Sequence, residues 1–268
     1  MGERVRPQAM NITTWNINSI RRRLERVLEW VDEHEPDVLC FQELKCQDGE
    51  FPAEAFTSRG YQVSTFGQKT YNGVAIVSRV PHVDVVTDFP IPGDGQARGI
   101  ACSLLGVGGA PALRLVNLYV VNGGELASDK YSYKLRWLEA LVAWVKAEKE
   151  RCGLPMVVCG DFNIAPGDLD VYDPKKWHEQ VLCTTPERDH LRALLALGFV
   201  DSWRQLHPEE RTYSWFDYRG GGFDRNEGLR IDHHLVSDVK PIEVVIDHDA
   251  RARTESSDHA PVTLFIAG

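Results

Sequence analysis

The sequence predicts an α+β protein in which two β-sheets pack together with helices on their outer faces. Three observations predict this class. Strand patterns outnumber helical ones, amphipathic helices fall between groups of strands, and strands and helices do not alternate regularly as they do in a doubly wound sheet. The 268 residues contain no low-complexity linker and no break in composition, so we expect a single domain over residues 10–268.

The first half of the chain supplies several strand patterns and one helix. Residues 10–15 mix apolar and threonine positions, and residues 37–42 form a short apolar run, so both are predicted strands. Between them, apolar side chains recur at helical spacing from Ile20 to Val31, which predicts an amphipathic helix. The other predicted strands span residues 73–78, 98–104 and 113–120, and residues 106–111 form a predicted hairpin loop.

The second half begins with the longest helical pattern, over residues 130–149, whose apolar face includes Trp137 and Leu141. Residues 156–159 form an apolar run that is typical of a buried strand. Residues 168–185 are polar and irregular, and we expect them to cross the surface. The remaining predicted elements are a helix over residues 188–197 and strands over residues 231–236 and 262–266.

The sequence contains no pattern that directs the chain into or across a membrane. It has no run of about 18 apolar residues. Residues 1–9 carry charge and a proline but lack the apolar centre of a signal peptide, so we expect a flexible tail. None of the six cysteines forms a Cys-x-x-Cys pair and several lie in apolar runs, which favours reduced, buried cysteines in a cytosolic protein.

The net charge of −9 does not favour a nucleic-acid enzyme, because phosphate binding needs Lys and Arg. Binding is local, however, whereas net charge is a sum over the whole surface. An acidic total is also expected where carboxylates cluster to hold a cation. Composition therefore leaves the class of function open.

Four polar clusters stand at the ends of predicted strands or in the loops beside them, where catalytic groups are often found. Asn, Asp and Glu offer the oxygen ligands that suit a hard cation such as Mg²⁺ or Mn²⁺. No group of His and Cys with zinc spacing competes for that role. The clusters are centred on Asn16, on Glu43, on Asp161 with Asn163, and on Asp258 with His259, and Asp232 precedes the last of them.

These residue types suit the hydrolysis of a phosphodiester bond. A metal and His259 can neutralise charge at the phosphorus, and Asp161 can accept a proton from water. A carboxylate such as Asp232 favours the imidazolium form of His259. Two points stay open from the residues alone: whether one or two metals act, and whether Asp161 assists the leaving oxygen instead.

The clusters and their order resemble the endonuclease/exonuclease/phosphatase superfamily, and within it the exonuclease III family of abasic-site endonucleases. The resemblance runs from Asn16 to Val262. It implies a four-layered α/β sandwich, with two packed mixed sheets flanked by helices and the site at one end of the sheets. The motifs that carry it are Asn16-Ile-Asn, Phe41-Gln-Glu-Leu-Lys, Asn72-Gly-Val-Ala, Gly160-Asp-Phe-Asn, Ser214-Trp-Phe-Asp-Tyr-Arg, Gly228-Leu-Arg-Ile-Asp and Ser257-Asp-His-Ala-Pro-Val.

The function that the resemblance implies is DNA repair. The expected enzyme uses Mg²⁺, with Mn²⁺ able to substitute, cuts duplex DNA 5′ to abasic sites, and has 3′–5′ exonuclease and 3′-phosphodiesterase activity. Its expected partner is double-stranded DNA with abasic sites or blocked 3′ ends, and it is expected to work as a monomer in the bacterial cytoplasm, without a membrane partner. Two alternatives remain. One is a phosphatase of lipid or inositol head groups on the same fold, and the other is a DNA-binding relative that has lost catalysis.

The motifs also imply a role for each residue that matches them. Glu43 is the expected main metal ligand, Asn16 lies beside it, and Asp258 is a further acidic residue near the metal. The expected catalytic set consists of Asp161 to activate the attacking water, Asn163 to position it, His259 to bond to the scissile phosphate, Asp232 to hold His259, and Tyr119 to contact the phosphate.

The expected substrate contacts also come from the matched motifs. Trp215, Leu229 and Ile231 match positions that line an apolar pocket, which would admit a flipped base-free sugar and exclude a nucleotide with its base. Asn122 is in place to contact DNA, but Val121 precedes it where the family usually has a proline. The balance between endonuclease and exonuclease activity is therefore left open.

Basic residues near the clusters predict a local cationic rim that contacts DNA phosphates. Such a rim would reconcile an acidic protein with DNA binding. Its expected members are Arg21, Arg22, Arg23, Lys45, Lys69, Arg98 and Arg219.

Overall fold

A computed structural model describes residues 9–106 and 112–267. Apart from Ala9 and Gly106, the tail and the hairpin loop expected from the sequence lie outside these residues. The strands are β1 (Met10–Asn16), β2 (Val38–Gln42), β3 (Gln62–Phe66), β4 (Val74–Ser78), β5 (His82–Thr87), β6 (Gly99–Leu104), β7 (Leu113–Tyr119), β8 (Met156–Asp161), β9 (Val200–Asp201), β10 (Asp232–Ser237), β11 (Pro241–Ile246) and β12 (Val262–Ile266). The helices are α1 (Ile20–His34), α2 (Ala53–Thr57), α3 (Asp129–Cys152), α4 (Pro174–Trp177), α5 (Thr185–Leu195), α6 (Ser202–Leu206) and α7 (His248–Ala252).

The strands form two mixed sheets of six strands each. The first sheet has the order β11-β12-β1-β2-β4-β3, and the second has the order β5-β6-β7-β8-β10-β9. The central pairs β1–β2 and β7–β8 are parallel, and their neighbours are antiparallel. Parallel pairing brings the carboxyl ends of β1 and β2 to one edge of the first sheet, and those of β7 and β8 to one edge of the second.

Three apolar layers hold the sheets and helices together. The inner faces of the two sheets pack against each other through side chains such as Ile12, Leu115 and Val157. Helix α1 covers the outer face of the first sheet, and α3 and α5 cover that of the second. Full burial of a large apolar side chain stabilises a fold by about 1.5–3 kcal/mol. The four layers confirm the predicted fold class.

A buried amide ties the two sheets to each other. Asn117, on β7, donates from Nδ2 to the carbonyl oxygens of Phe41 (3.0 Å) and Ala75 (2.9 Å) in the opposite sheet. Its Oδ1 accepts a hydrogen bond of 2.7 Å from Gln42 Nε2. Because all three contacts cross between the sheets, Asn117 fixes their relative position close to the ends of β2 and β7.

The predicted central elements are present with small shifts at their ends. The predicted helix over residues 188–197 begins earlier, as α5, because Thr184 Oγ1 caps it by accepting from the backbone N–H of Glu187. The irregular stretch over residues 168–185 contains one short helix, α4, and a 3₁₀ turn. None of the described helices is long and apolar enough to cross a bilayer. The sequence patterns did not predict the strands β3, β5, β9 and β11.

Candidate active site

The polar clusters meet at one end of the two sheets. Asn16 ends β1 and Glu43 follows β2 in the first sheet, whereas Asp161 ends β8 in the second. The Asn16 side chain joins them, because its Nδ2 donates to Glu43 Oε1 and to Asp161 Oδ2, each at 2.9 Å. Asp232 opens β10 opposite Asp161, and His259 lies just before β12. Side chains from both sheets thus share one site.

Gly160 allows two strands of the second sheet to approach at the site. It has a φ of +138°, and a Cβ at this position would lie 2.0 Å from the carbonyl oxygen of Leu118 on β7. No side chain could replace the hydrogen without moving one of the strands. The glycine therefore permits the pairing of Tyr119 with Asp161 at the edge of the sheet.

A buried histidine and a buried aspartate form a hydrogen-bonded pair in the site. His259 Nδ1 lies 2.9 Å from Asp232 Oδ2 and 3.1 Å from Oδ1. Ser214 Oγ donates to Asp232 Oδ2 at 2.6 Å and accepts the backbone N–H of Asp232 at 3.1 Å, which fixes the carboxylate. Burial alone lowers the pKa of His259, but the Asp232 and Asp161 carboxylates outweigh it and raise the pKa to about 10. At neutral pH the ring is therefore an imidazolium whose Nδ1–H donates to Asp232.

Asp161 has an environment that lets it exchange a proton near neutral pH. Burial raises the pKa of its carboxyl to about 7, and the neighbouring Asp232 and Glu43 carboxylates add to this, although His259 and Asn16 oppose it. Its Oδ1 accepts the backbone N–H of Asn163 at 2.9 Å. His259 Nε2 lies 3.7 Å from Asp161 Oδ2. The two groups therefore face the same small volume as an imidazolium and a titrating carboxylate.

A chain of polar side chains links Glu43 to Asp258. Lys45 Nζ lies 2.9 Å from Glu43 Oε2 and donates to Asn18 Oδ1 at 2.6 Å. Asn18 Nδ2 donates to Asp258 Oδ1 at 3.1 Å. Burial raises the pKa of Glu43, but Lys45 and Asn16 outweigh it, so the pKa is lowered overall. Glu43 is thus an anionic carboxylate that a cation already contacts.

The donor set fits a hard divalent cation. Four carboxylates, those of Glu43, Asp161, Asp232 and Asp258, meet only the cations Lys45 and His259 among the described residues of the site. This excess of negative charge and the oxygen donors suit Mg²⁺ or Mn²⁺. Asn16 presents its NH₂ to the carboxylates, while its Oδ1 accepts the N–H of Asn18 at 3.0 Å. To act as a metal ligand, the Asn16 amide would have to turn over.

A second set of potential ligands lies deeper in the site. Ligand atoms of Asp161, Asp232 and His259 are within 4.8 Å of one another. The Nδ1 of His259 is already committed to Asp232, and a cationic imidazole repels a metal. The edge that carries Glu43 is therefore the better cation site.

Tyr119 and Arg98 lie beside the carboxylates. Burial, with the Glu43 and Asp161 carboxylates, raises the pKa of Tyr119 well above its ordinary value, so its hydroxyl keeps its proton. The Arg98 guanidinium lies over the Tyr119 ring, 4.9 Å from its centre, and donates to the Tyr119 carbonyl at 3.2 Å. Arg98 is buried and packs against Tyr119, so it does not belong to the exposed rim that the sequence predicts.

Asn163 and Asn122 form a pair at the ends of two neighbouring loops. Asn122 Nδ2 donates to Asn163 Oδ1 at 3.1 Å, and Asn163 Nδ2 donates to the Val120 carbonyl at 2.9 Å. The backbone of Asn163 has a φ of +49°. Asn163 contacts Asp161 through its backbone N–H, and Asn122 is joined to Asp161 only through Asn163.

The residues expected to line an apolar pocket are not equally exposed. Trp215 is half-buried, bridges to His259 through the backbone, and donates from Nε1 to Asp258 Oδ2 at 3.0 Å. Leu229 and Ile231 are 0% and 1% exposed. They pack in one cluster with Val171, Leu182 and Cys183, against which Trp215 lies. Trp215 is therefore the residue of this group that reaches the surface, and Leu229 and Ile231 pack behind it among other apolar side chains.

Most residues of the predicted basic rim form hydrogen bonds or ion pairs with other residues of the protein. Arg22 and Lys69 are exposed and form no ion pair among the described residues. The others have partners: Arg21 pairs with Glu50, Arg23 bonds to the Asn18 carbonyl and the Tyr218 hydroxyl, Lys45 contacts Glu43, and Arg219 pairs with Asp217.

Two residues of the site were missed as functional positions. Asn18 connects Lys45 to Asp258, and Ser214 anchors Asp232. Both belong to motifs quoted from the sequence, so their place in those motifs could have singled them out. A groove of about 640 Å³ elsewhere, lined by Trp30, His34 and Asp247, contains no residue of this site.

Comparisons with known proteins agree with this geometry. The model of the endonuclease/exonuclease/phosphatase family matches residues 13–259. Exodeoxyribonuclease III of Haemophilus influenzae is 35% identical over 265 residues, covering 94% of this chain and 98% of that protein. Among solved structures, the 3′ phosphatase NExo from Neisseria, bound to a product DNA hairpin, has a TM-score of 0.90 and 48% identity, with 96% and 98% of the two chains covered. An AP endonuclease from Archaeoglobus fulgidus has a TM-score of 0.87 and 34% identity, with 97% and 100% covered.

The match to the family model, the relative that is covered almost in full, and the catalytic side chains of both sheets lead to the same conclusion. The chain belongs to the endonuclease/exonuclease/phosphatase family, in the group that includes exodeoxyribonuclease III.

Proposed function

We propose that this chain is a DNA repair nuclease that hydrolyses the phosphodiester bond 5′ to abasic sites and removes nucleotides and blocking groups from 3′ ends of duplex DNA. The observation that carries the proposal is the contact of Asn16 with both Glu43 and Asp161, which joins the two halves of the site. The names of the relatives support both activities, since they include an AP endonuclease, a 3′ phosphatase and exodeoxyribonuclease III.

In the proposed mechanism, the His259 imidazolium binds an oxygen of the scissile phosphate through Nε2–H, while Asp232 holds its Nδ1–H. Asp161 accepts a proton from the attacking water, and its pKa of about 7 places it in the working range of a general base. The water oxygen bonds to phosphorus as the bond from phosphorus to the leaving 3′ oxygen breaks, and the leaving oxygen takes up a proton from solvent. Asn163 positions the water, and the Tyr119 hydroxyl donates to the phosphate. Charge is thus neutralised where it develops in the transition state.

Glu43 is the proposed main ligand of Mg²⁺, with Asp258 and a rotated Asn16 near it, and Mn²⁺ is proposed to substitute. When bound, the cation supplies charge neutralisation at the phosphate oxygens. Lys45, which contacts Glu43 in this structure, would have to move aside or share the carboxylate. The proposal makes nuclease activity dependent on a divalent cation.

The proposed substrate contacts follow the surface around the site. Trp215 packs against the base-free sugar with Leu229 and Ile231 behind it, Asn122 contacts the DNA backbone beside Asn163, and Arg98 acts through Tyr119. The proposed setting is a monomer in the bacterial cytoplasm. The six free cysteines, five of them buried, support a reducing compartment.

A single assay tests the proposed function. The protein is incubated with a duplex that carries one tetrahydrofuran site, and with a nicked duplex that ends in a 3′-phosphate, each with Mg²⁺ or with EDTA. We expect cleavage 5′ to the tetrahydrofuran and loss of the 3′-phosphate with Mg²⁺, and neither with EDTA. Inertness towards both duplexes at all Mg²⁺ and Mn²⁺ concentrations would refute the proposal.

The exposed side chains of Arg22 and Lys69, unpaired within the described part of the chain, lead to a separate prediction about DNA binding. Replacing Arg22 and Lys69 by alanine should weaken binding and flatten its dependence on salt, because each phosphate contact contributes about 0.9 to the slope of log K against log salt. The slope should therefore fall by about 2 in fluorescence-anisotropy titrations. The matched control replaces Lys146 and Lys240, which are also exposed and lie in the second half of α3 and in the turn after the far end of β10. An equal fall in the control variant would show that only total charge matters.

A further inference from the structure

A buried lysine lies directly behind the catalytic loops. Lys134, on α3, is 0% exposed, and its ammonium pairs with the equally buried carboxylate of Glu187 at the start of α5. Burying a charged pair is costly unless further hydrogen bonds satisfy both groups. Neither residue takes part in the proposed reaction, so the role of this buried ion pair depends on its other hydrogen-bond partners.

The other partners of the ammonium belong to the active site. Lys134 Nζ donates to the backbone carbonyl of Asn163 at 2.7 Å and to that of Asn122 at 3.1 Å. These carbonyls lie on two separate loops, one after β8 and one after β7. One ammonium group therefore sets the distance between the loops and the place of the Asn122–Asn163 pair.

Asn163 connects Lys134 to the reacting carboxylate of Asp161. Its N–H donates to Asp161 Oδ1, and its side chain bonds to Asn122 and to the Val120 carbonyl. Its φ of +49° lies in the left-handed region, which asparagine adopts more readily than most other residues, and these contacts fix it in that conformation. Without Lys134, the Asn163 carbonyl would lose its shortest contact.

Glu187 is fixed as firmly as the lysine it neutralises. Its Oε2 accepts from the N–H and the hydroxyl of Thr184, at 2.9 and 2.7 Å, and its Oε1 accepts the N–H of Leu182 at 3.1 Å. The start of α5 therefore fixes the Glu187 carboxylate, which forms an ion pair with Lys134. Lys134 in turn donates hydrogen bonds to the two loops.

From these contacts we infer that Lys134 is a positioning residue of the nuclease reaction, which holds Asn163 and Asn122 in register with Asp161, and that Glu187 keeps it in place. The inference rests on the proposed function. Groups that orient a catalytic residue typically contribute about 10- to 100-fold to activity, because small displacements of reacting groups are costly.

The test compares two buried lysine or arginine pairs of the same kind. Lys134→Met removes the ammonium and keeps an unbranched side chain of similar length. The matched control is Arg114→Met, since Arg114 is also 0% exposed and pairs with Glu148 at 2.7 Å. Arg114 lies near the start of β7, five residues before Tyr119, which is roughly 17 Å along the strand from the site.

Both single variants should melt at lower temperature, but only one should lose catalysis. We expect Lys134→Met to lower kcat for tetrahydrofuran cleavage by about 10- to 100-fold at a temperature where it is fully folded. Arg114→Met should keep the wild-type kcat. Equal kcat for the two variants would overturn the inference, whereas a wild-type protein inactive on DNA would instead refute the proposed function.

A double variant separates positioning from stability and serves also if the single variant does not fold. Lys134→Met with Glu187→Met removes both buried charges, and replacing a whole pair by apolar groups often restores stability. The Asn122 and Asn163 carbonyls would still lack their donor. The melting temperature should therefore recover while kcat stays low. Recovery of kcat together with stability would show that the pair has only a structural role.

Discussion

Replacing His259 by alanine is expected to lower kcat for cleavage at an abasic site by about 10²–10⁴-fold, the range found when a single catalytic group is removed. The imidazolium lies 3.7 Å from Asp161 Oδ2 through its Nε2, and it is held with its Nδ1–H towards Asp232. Alanine would remove the charge that neutralises the phosphate and leave Asp232 buried with Ser214 as its remaining side-chain partner. Single-turnover kinetics with excess enzyme would measure the chemical step.

The control for this variant is a second histidine–aspartate pair outside the site. His34 lies 3.5 Å from Asp247 and stacks on Trp30, with ring centres 4.4 Å apart. His34→Ala should leave the single-turnover rate unchanged. A His259→Ala protein that is folded and cuts at nearly the wild-type rate would remove His259 from the mechanism.

Asp161→Asn should be almost as damaging, again by about 10²–10⁴-fold in rate. The amide is nearly isosteric and can still accept the N–H of Asn163, so the loop should keep its shape. It cannot accept a proton from water. It also removes the carboxylate that raises the pKa of His259 together with Asp232. Asp238→Asn, at the opposite end of β10, is the control.

The same variant decides which proton Asp161 moves. If Asp161 assists the leaving oxygen, a substrate with an aryl leaving group needs no such help, and the loss in Asp161→Asn should shrink greatly with that substrate. If Asp161 activates the water, the loss should remain for both substrates. We expect the second result, because Asn163, the proposed positioning group for the water, bonds directly to Asp161.

The sequence predicts the central strands better than those at the edges, for a physical reason. Strands β2, β4 and β8 are buried along their whole length, and because most of their residues are apolar the pattern is strong. The missed strands face solvent: β5 exposes Val83 and Val85 and contains a bulge, and β11 begins with a proline. Their pairing depends on neighbours distant in the chain, which local patterns do not reveal.

The same division holds within the site. Asn16, Glu43 and Asp161 end or follow strong strand patterns and His259 lies in the loop before one. The sequence therefore predicts that they lie at strand ends or in the loops beside strands, and the family resemblance implies that they share one end of the sheets. The partners of the basic residues could not be predicted in this way. Arg21 meets Glu50, and Arg23 meets Tyr218, only because the fold brings distant loops together. The burial of Leu229 and Ile231 likewise depends on Leu182 and Cys183, which come from the irregular stretch before α5.

The amide of Asn117 has a consequence for how the enzyme fails. A slip of one sheet against the other by a single residue, about 3.3 Å, would carry Asp161 out of reach of Asn16 while every strand stayed bonded within its own sheet. Such a protein would look intact by circular dichroism and yet be inert. The rate of turnover therefore reports the alignment of the two sheets more sensitively than any measurement of secondary structure.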